Sequence, residues 1–407
     1  MARQRERQSQ AVDKFLRSQV DLSYLRTVDD ESSNIALRYI QRRVLFFSLL
    51  PLGLLFAVTL TLARTYHARE AALAGEWFQT GNGDFSAGKP AAAANDFRNA
   101  LSYDPENNQI QLRLAEALLK SGRLTEASAY FQNLWEANPG SGEVNLNLAR
   151  LSAQMGQVNE AVRHFHEAIY GSWDTQPVRQ RTSARLELCE LLIHDGRLDE
   201  AREELAVVAA DTPQGEATLH EQIGQLFLQA GDAGKAVQEF EAALRTNPHQ
   251  SQFLEEAGKA AYDAGDYRKA ETYLSKVDRE NPAARTAELL TTVRDVLRSD
   301  PSLPGLSDEE QAHRSWNAFE HGIERLRSCL AVSAAQSNSE MDNLTRNAKE
   351  LKGRLNVRSL VAQPELRNDT MRFVFRIENV TSHFCRTPPG LDQALLLIGK
   401  KYQGESP

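Results

Sequence analysis

The stretch AEALLKSGRLTEASAYFQNLWEANP, residues 115–139, holds small residues, a glycine and a proline at distances that suit two short helices. Gly122 is followed five residues later by Ala127 and a further four residues later by Phe131, and Pro139 closes the stretch. Glycine adopts the positive φ that ends a helix at little cost, whereas proline cannot continue one. Alanine lets a second helix approach closely, and the phenylalanine fills the space beside it. The stretch therefore predicts two antiparallel helices joined by a tight turn.

The same arrangement recurs along the chain with a nearly constant period. The six glycines are 34, 34, 40, 35 and 34 residues apart. Each glycine and the alanine five residues after it are Gly88 and Ala93, Gly122 and Ala127, Gly156 and Ala161, Gly196 and Ala201, Gly231 and Ala236, and Gly265 and Ala270. Such self-similarity indicates stacked helical pairs that bury their apolar faces against one another. In the third unit the segment YGSWDTQP, residues 170–177, adds six residues (40 − 34) and predicts a local distortion around residues 172–181.

This pattern resembles the tetratricopeptide repeat, whose signature combines a 34-residue period with alanine, phenylalanine and a closing proline. Trp77 and Gly81 add the aromatic residue and the small residue expected early in the first unit. The resemblance covers residues 74–282 and implies six repeats in an all-α, right-handed solenoid. After the repeats, residues 283–299 predict a capping helix, and residues 300–407 predict a C-terminal helical region. Within that region, the segment MRFVFRIENVTSHFC fits a strand as well as the helix that we favour.

An apolar segment precedes the repeats. Residues 44–63 carry no charged side chain, and twenty residues at 1.5 Å each make a helix of about 30 Å, the thickness of the hydrocarbon core of a bilayer. We predict a single transmembrane helix rather than a cleaved signal peptide, because the apolar run is long and residues 1–43 precede it.

The charges around that segment predict its orientation. The tail of residues 1–43 is basic, with nine Lys/Arg against six acidic residues. Within twenty residues of the apolar run, four Lys/Arg lie on its N-terminal side and two on the other. Basic residues stay on the cytoplasmic side of a membrane. We therefore expect anchoring in the inner membrane of a bacterium, with the N-terminus in the cytoplasm and the array in the periplasm.

Composition and motifs narrow the chemistry. The net charge of −8 disfavours a nucleic-acid partner, which requires a basic face. Because we find no phosphate loop, metal-ligand spacing or nucleophile motif, we expect no catalytic residue, no cofactor, no metal and no small-molecule substrate. Cys329 and Cys385 lie in the same region and form either a disulfide, if that region faces an oxidising compartment, or two separate buried thiols.

The resemblance also implies a partner site, because in such arrays the inward face of each first helix contacts a protein or peptide. Carrying the register over gives the predicted groove: Phe78, Asn82, Phe85, Leu112, Glu116, Leu119, Leu146, Arg150, Leu186, Glu190, Ile193, Glu221, Gln225, Leu228, Glu255, Lys259 and Tyr262. A clamp for a C-terminal carboxylate would require lysines and asparagines, so this lining favours an apolar or basic segment, or a helix. The alternative is a face that is merely solvated.

The function predicted from these features is a non-enzymatic, membrane-anchored scaffold or adaptor that holds a protein or peptide in its groove. The alternative is a structural subunit of a larger envelope or secretion complex. An enzyme with its site in residues 300–407 is the least favoured interpretation, because no motif supports it.

Overall fold

The chain is helical throughout the part that the structure describes. A computed structural model describes residues 23–280, 286–332 and 339–403, with side chains from residue 50 onward except at 278–280. All the secondary-structure elements of these residues are α-helices, so the predicted all-α class is confirmed. The chain divides into two compact units, Met1–Tyr130 and Phe131–Pro407.

The first unit contains a long helix followed by the first repeats. Its helices are α1 (Ser23–Ser86), α2 (Pro90–Tyr103) and α3 (Asn108–Lys120), and α4 (Leu124–Ala137) begins in it. The close pairing of α1 with α2 depends on Gly81, where an added Cβ would lie 2.7 Å from the ring of Phe97. The start of α3 is fixed by Asn107, whose side-chain oxygen accepts hydrogen bonds from the backbone N–H groups of Gln109 and Ile110.

The prediction of a transmembrane helix at residues 44–63 is wrong. Among the described residues, no helix is long and apolar enough to cross a membrane. Residues 44–63 lie inside α1 (Ser23–Ser86), which is a single uninterrupted helix. Beyond them α1 continues without a break through Arg64, Arg69 and Glu70 into the first repeat. The predicted single-pass anchor is therefore wrong, and the predicted placement in the inner membrane and the periplasm loses its basis. The side chains of the basic tail, residues 1–43, lie outside the described residues.

The second unit holds the later repeats and the C-terminal helices. Its repeat helices, besides the end of α4, are α5 (Gly142–Gln154), α6 (Val158–Tyr170), α7 (Pro177–His194), α8 (Leu198–Asp211), α9 (Ala217–Gln229), α10 (Ala233–Thr246), α11 (Ser251–Asp263) and α12 (Tyr267–Glu280). They are followed by α13 (Ala287–Ser299), α14 (Asp308–Val332), α15 (Ser339–Lys352), α16 (Val357–Ala362), α17 (Pro364–Phe384) and α18 (Leu391–Gln403). The segment MRFVFRIENVTSHFC, for which the sequence also allowed a strand, lies in α17 except for its last residue, Cys385.

The turn within each pair follows from its glycine. Gly88, Gly122, Gly156, Gly196, Gly231 and Gly265 all have φ between 71° and 78°. A residue with a Cβ pays a steric cost in this left-handed conformation, so the sequence dictates where each first helix ends. The second helices end two residues before a proline in the cases of α2, α4, α8, α10 and α12.

One apolar core runs through the second unit. It extends from Leu146 in α5 to Ile398 in α18 without interruption. The C-terminal helices therefore continue the core of the repeats, and α18 packs against α13, α14 and α17. A disulfide between Cys329 in α14 and Cys385 after α17 links two of these helices, with the Cα atoms 5.8 Å apart.

Candidate partner cleft

The six-residue insertion forms an ordered loop between α6 and α7. Ser172 donates its backbone N–H to the carbonyl of Gly140 at 2.8 Å, and the N–H of Gly142 returns a hydrogen bond of 2.8 Å to the carbonyl of Ser172. Trp173 Nε1 donates to the carbonyl of Ala168 at 2.9 Å, and its ring occupies the space that Gly142 leaves by lacking a side chain. The predicted distortion is therefore a tethered loop, which ends at Gln176 with φ of 44°.

The insertion also lengthens the following helix. The first helices α5, α9 and α11 have 13 residues each, whereas α7 has 18. Its extra residues lie at its N-terminus, because Cys189 stands twelve residues into α7 and its counterpart Gly224 stands seven residues into α9. Five residues add about 7.5 Å of helix. The first turn of α7 therefore extends past the start of the neighbouring first helices, and Val178 there is 76% exposed.

A cleft of about 890 Å³ opens beside this extra turn. One wall is α7, and the other is the α8–α9 loop with the first turns of α9. The lining residues are Gln176, Pro177, Val178, Arg179, Thr182, Ser183, Leu186, Glu187, Glu190, Asp211, Thr212, Pro213, Glu216, Thr218, Leu219 and Gln222. Two residues of the predicted groove, Leu186 and Glu190, are among them.

The lining of the cleft is acidic. The charge of Glu187 is neutralised by Arg150 on α5, whose Nε and Nη2 donate to the two carboxylate oxygens of Glu187 at 2.7 and 2.6 Å. Partial desolvation and the nearby charge of Glu187 raise the pKa of Glu190. Glu216 and Asp211 add two further carboxylates, against the single cation Arg179 in the lining.

In the first unit, the predicted groove residues are organised by Arg113. Its Nε donates to Asn82 Oδ1 at 3.1 Å, and its Nη1 donates to Glu116 at 2.6 Å. The guanidinium group also lies 5.0 Å from the centre of the Phe85 ring.

The other apolar groove residues of the first unit differ in burial. Phe78 packs on the ring of Phe97, and Leu112 is half-buried. Leu119 is buried and belongs to the core instead of the groove.

In the second unit, several of the polar groove residues pair with other side chains of the first helices. Gln225 donates to Glu256 at 3.0 Å, and Gln252 donates to Glu221. Lys259 forms an ion pair with Glu255 one helical turn away. The apolar groove residues pack inward: Leu146 is buried, and Ile193, Leu228 and Tyr262 lie against the core.

A regular offset explains which polar residues meet across adjacent first helices. Asn82 contacts Arg113, Glu221 contacts Gln252, and Gln225 contacts Glu256, each pair 31 residues apart. Arg150 and Glu187 are 37 residues apart, which is the same offset plus the six inserted residues (31 + 6). Sequence reasoning missed Arg113, Glu187 and Glu256, although this offset would have identified all three.

The described residues contain no group of three or more His, Cys, Asp or Glu side chains placed to hold a metal ion. The remaining cysteine, Cys189 in α7, is buried, and this burial raises the pKa of its thiol to about 12.

Comparison with known proteins identifies the repeats. Residues 84–136, 122–169 and 222–285 match family models described as tetratricopeptide repeat. The fold is similar to the pilF protein of Pseudomonas aeruginosa (15% identity, 53% of this chain and 95% of that chain, TM-score 0.39). It is also similar to PilW, a type IV pilus biogenesis factor (21%, 54% and 98%, TM-score 0.39). A third similar structure is YrrB, a repeat protein with an unusual peptide-binding site (17%, 47% and 94%, TM-score 0.36). No curated protein matches the chain.

Proposed function

We propose that this chain, which carries tetratricopeptide repeats, is a non-catalytic scaffold that binds a protein or peptide segment in the cleft between α7 and α9. The observation that carries the proposal is the cleft, whose volume of about 890 Å³ lies within the range of ordinary ligand sites. It combines apolar with polar side chains, as a peptide site does. On the rest of the first-helix face of this unit, polar side chains already pair with one another, as Gln225 does with Glu256 and Lys259 with Glu255.

The cleft walls supply the two kinds of contact that a peptide requires. Val178, which is exposed, and Leu219, which is half-buried, present apolar surface to an incoming side chain. Gln222 offers its side-chain amide to the backbone of the segment, and Thr182 Oγ1, which donates to the carbonyl of Val178 at 3.0 Å, can accept a hydrogen bond from it. The tethered loop holds the first turn of α7 in place before a ligand arrives, which lowers the ordering cost of binding.

The proposal is tested with peptides selected from a displayed library of random sequences against the full chain. Thr182→Trp should fill the cleft and weaken binding of the selected peptides at least tenfold in fluorescence anisotropy, because a bulky ring would occupy the ligand space. Val207→Trp places the same side chain on α8, where Val207 is 43% exposed and outside the cleft lining. This control should bind like the unmodified chain. Equal affinities of all three proteins would contradict the proposal.

A further inference from the structure

The charge of the cleft restricts its ligand. Four carboxylates line it, from Glu187, Glu190, Asp211 and Glu216, against one guanidinium group from Arg179. The ion pair of Arg150 with Glu187 offsets one of the four. The cleft therefore keeps a surplus of about two negative charges (+2 − 4) even with both cations counted.

The surplus lies on both walls. Glu190 stands on α7, whereas Asp211 ends α8 and Glu216 precedes α9. Within the residues that the structure describes, no Lys, Arg or His lies within 4.0 Å of any of these three carboxylates, whereas Glu187 on the same wall has its arginine. The three are thus available to a cation brought by a ligand.

Apolar surface lies beside these carboxylates. Val178, which is exposed in the first turn of α7, lines the cleft, and so does Leu219 on α9. Leu186 forms part of the wall between them and is 6% exposed. An exposed valine on a tethered helix end costs free energy in water, and this cost is removed when an apolar partner covers it.

From this arrangement we propose that the cleft selects a protein segment in which a lysine or arginine lies next to an apolar side chain. The cationic group contacts Glu190 on one wall and Glu216 on the other, and the apolar group contacts Val178 and Leu219. The assignment rests on the proposed function, because it names the chemistry of the segment bound at the same cleft. Acidic segments are excluded by repulsion from both walls.

The test begins with the sequences selected from the same random library. They should be enriched in Lys or Arg adjacent to Leu, Val or Phe, and a selected peptide should bind more weakly as ionic strength rises. The double variant Glu190→Gln/Glu216→Gln should weaken binding of that peptide about tenfold, since both ion pairs with the cationic group of the peptide are lost. The matched double variant Glu203→Gln/Glu309→Gln removes two exposed carboxylates outside the cleft and should leave the affinity unchanged.

Charge reversal separates a change of preference from a loss of folding. The variant Glu190→Lys/Glu216→Lys should reject the basic peptide and bind the same peptide with its Lys or Arg replaced by Glu. If the selected peptides bind in the cleft but are not enriched in Lys or Arg, and the variant Glu190→Gln/Glu216→Gln binds them with unchanged affinity, the charge assignment is wrong. The assignment of the cleft as a peptide site would then still hold. If Thr182→Trp has no effect on any selected peptide, the cleft itself fails as the site.

Discussion

Glu378 in α17 is a deeply buried carboxyl group, with 1% of its surface exposed. Both of its carboxylate oxygens lie in the interior without a hydrogen-bond partner in the structure. Burial raises its pKa to about 8, the negative charge of Asp392 adds to the rise, and Arg325 opposes it. Asp392 is itself held by His321 Nε2 at 3.1 Å and by Arg325 Nε at 3.8 Å. Glu378 is therefore neutral in the folded protein near neutral pH.

This residue makes the stability of the second unit depend on pH. The pKa of a glutamate in the unfolded chain is 4.5, whereas that of Glu378 in the folded protein is about 8. Since the folded state holds the extra proton between these values, the contribution of Glu378 to stability is greatest below about pH 4.5 and falls as pH rises to about 8. Glu378→Gln keeps the shape and removes the ionisation, so we expect the loss of stability between pH 4.5 and pH 8 to be smaller in this variant by on the order of 4 kcal/mol.

Urea unfolding across this pH range measures the effect. Glu350→Gln, at an exposed position of α15, is the control and should follow the pH profile of the unmodified chain. A Glu378→Gln variant with an unchanged slope between pH 4.5 and 8 would show that the buried carboxyl group does not govern this dependence.

At the scale of a helix, the glycines determine how closely each pair packs. At Gly224 in α9, an added Cβ would lie 2.8 Å from the ring of Phe240 in α10. Gly224→Ala should therefore destabilise the protein by roughly 1–3 kcal/mol, the usual cost of overpacking a core. Thermal unfolding followed by circular dichroism measures this change.

Gly234 provides the matched substitution on the partner helix. It lies exposed in the first turn of α10, and the nearest atom to an added Cβ is Asp232 Oδ1 at 3.6 Å. Because alanine restricts the unfolded chain more than glycine does, Gly234→Ala should raise stability by about 0.5 kcal/mol. A similar loss in both variants would mean that helix pairing here does not depend on the close approach.

The helix pairs also show what the sequence could predict and what it could not. The glycine register predicted where each first helix ends, because positive φ is a local property of one residue. The groove was predicted less well. Leu119 and Leu146 follow the family register, yet the depth of a side chain depends on the next pair, and both are buried. The pairing of Arg150 with Glu187 was not predicted either, because Glu187 lies beyond an insertion that shifts the register.

At the scale of the second unit, the disulfide closes a loop of 56 residues between α14 and the end of α17. By loop entropy alone, such a crosslink stabilises the folded state by about 4 kcal/mol. Because one core joins these helices to the repeats, reduction should lower the stability of the whole unit and not only of its C-terminal part. We expect a loss of about 2–4 kcal/mol in urea unfolding with dithiothreitol.

The variant Cys385→Ser isolates the contribution of the bond. It should unfold at the lower urea concentration in the presence and in the absence of dithiothreitol. Cys189 remains as a buried thiol in both proteins, so it cannot account for a difference between them. If dithiothreitol shifts the unmodified chain and the variant equally, the stabilisation does not come from this crosslink.

The position of α18 has a consequence for how the protein is made. This helix packs against α13, α14 and α17, and Lys401 lies over the ring of Tyr267 in α12 at 5.6 Å. The ribosome produces α18 after all of these helices, so each of them leaves the exit tunnel with an apolar face uncovered. The early repeats can pair as they emerge, because their contacts are with immediate neighbours in the chain. Packing of the second unit must therefore wait for α18, and the nascent chain is exposed to aggregation and proteolysis during that interval.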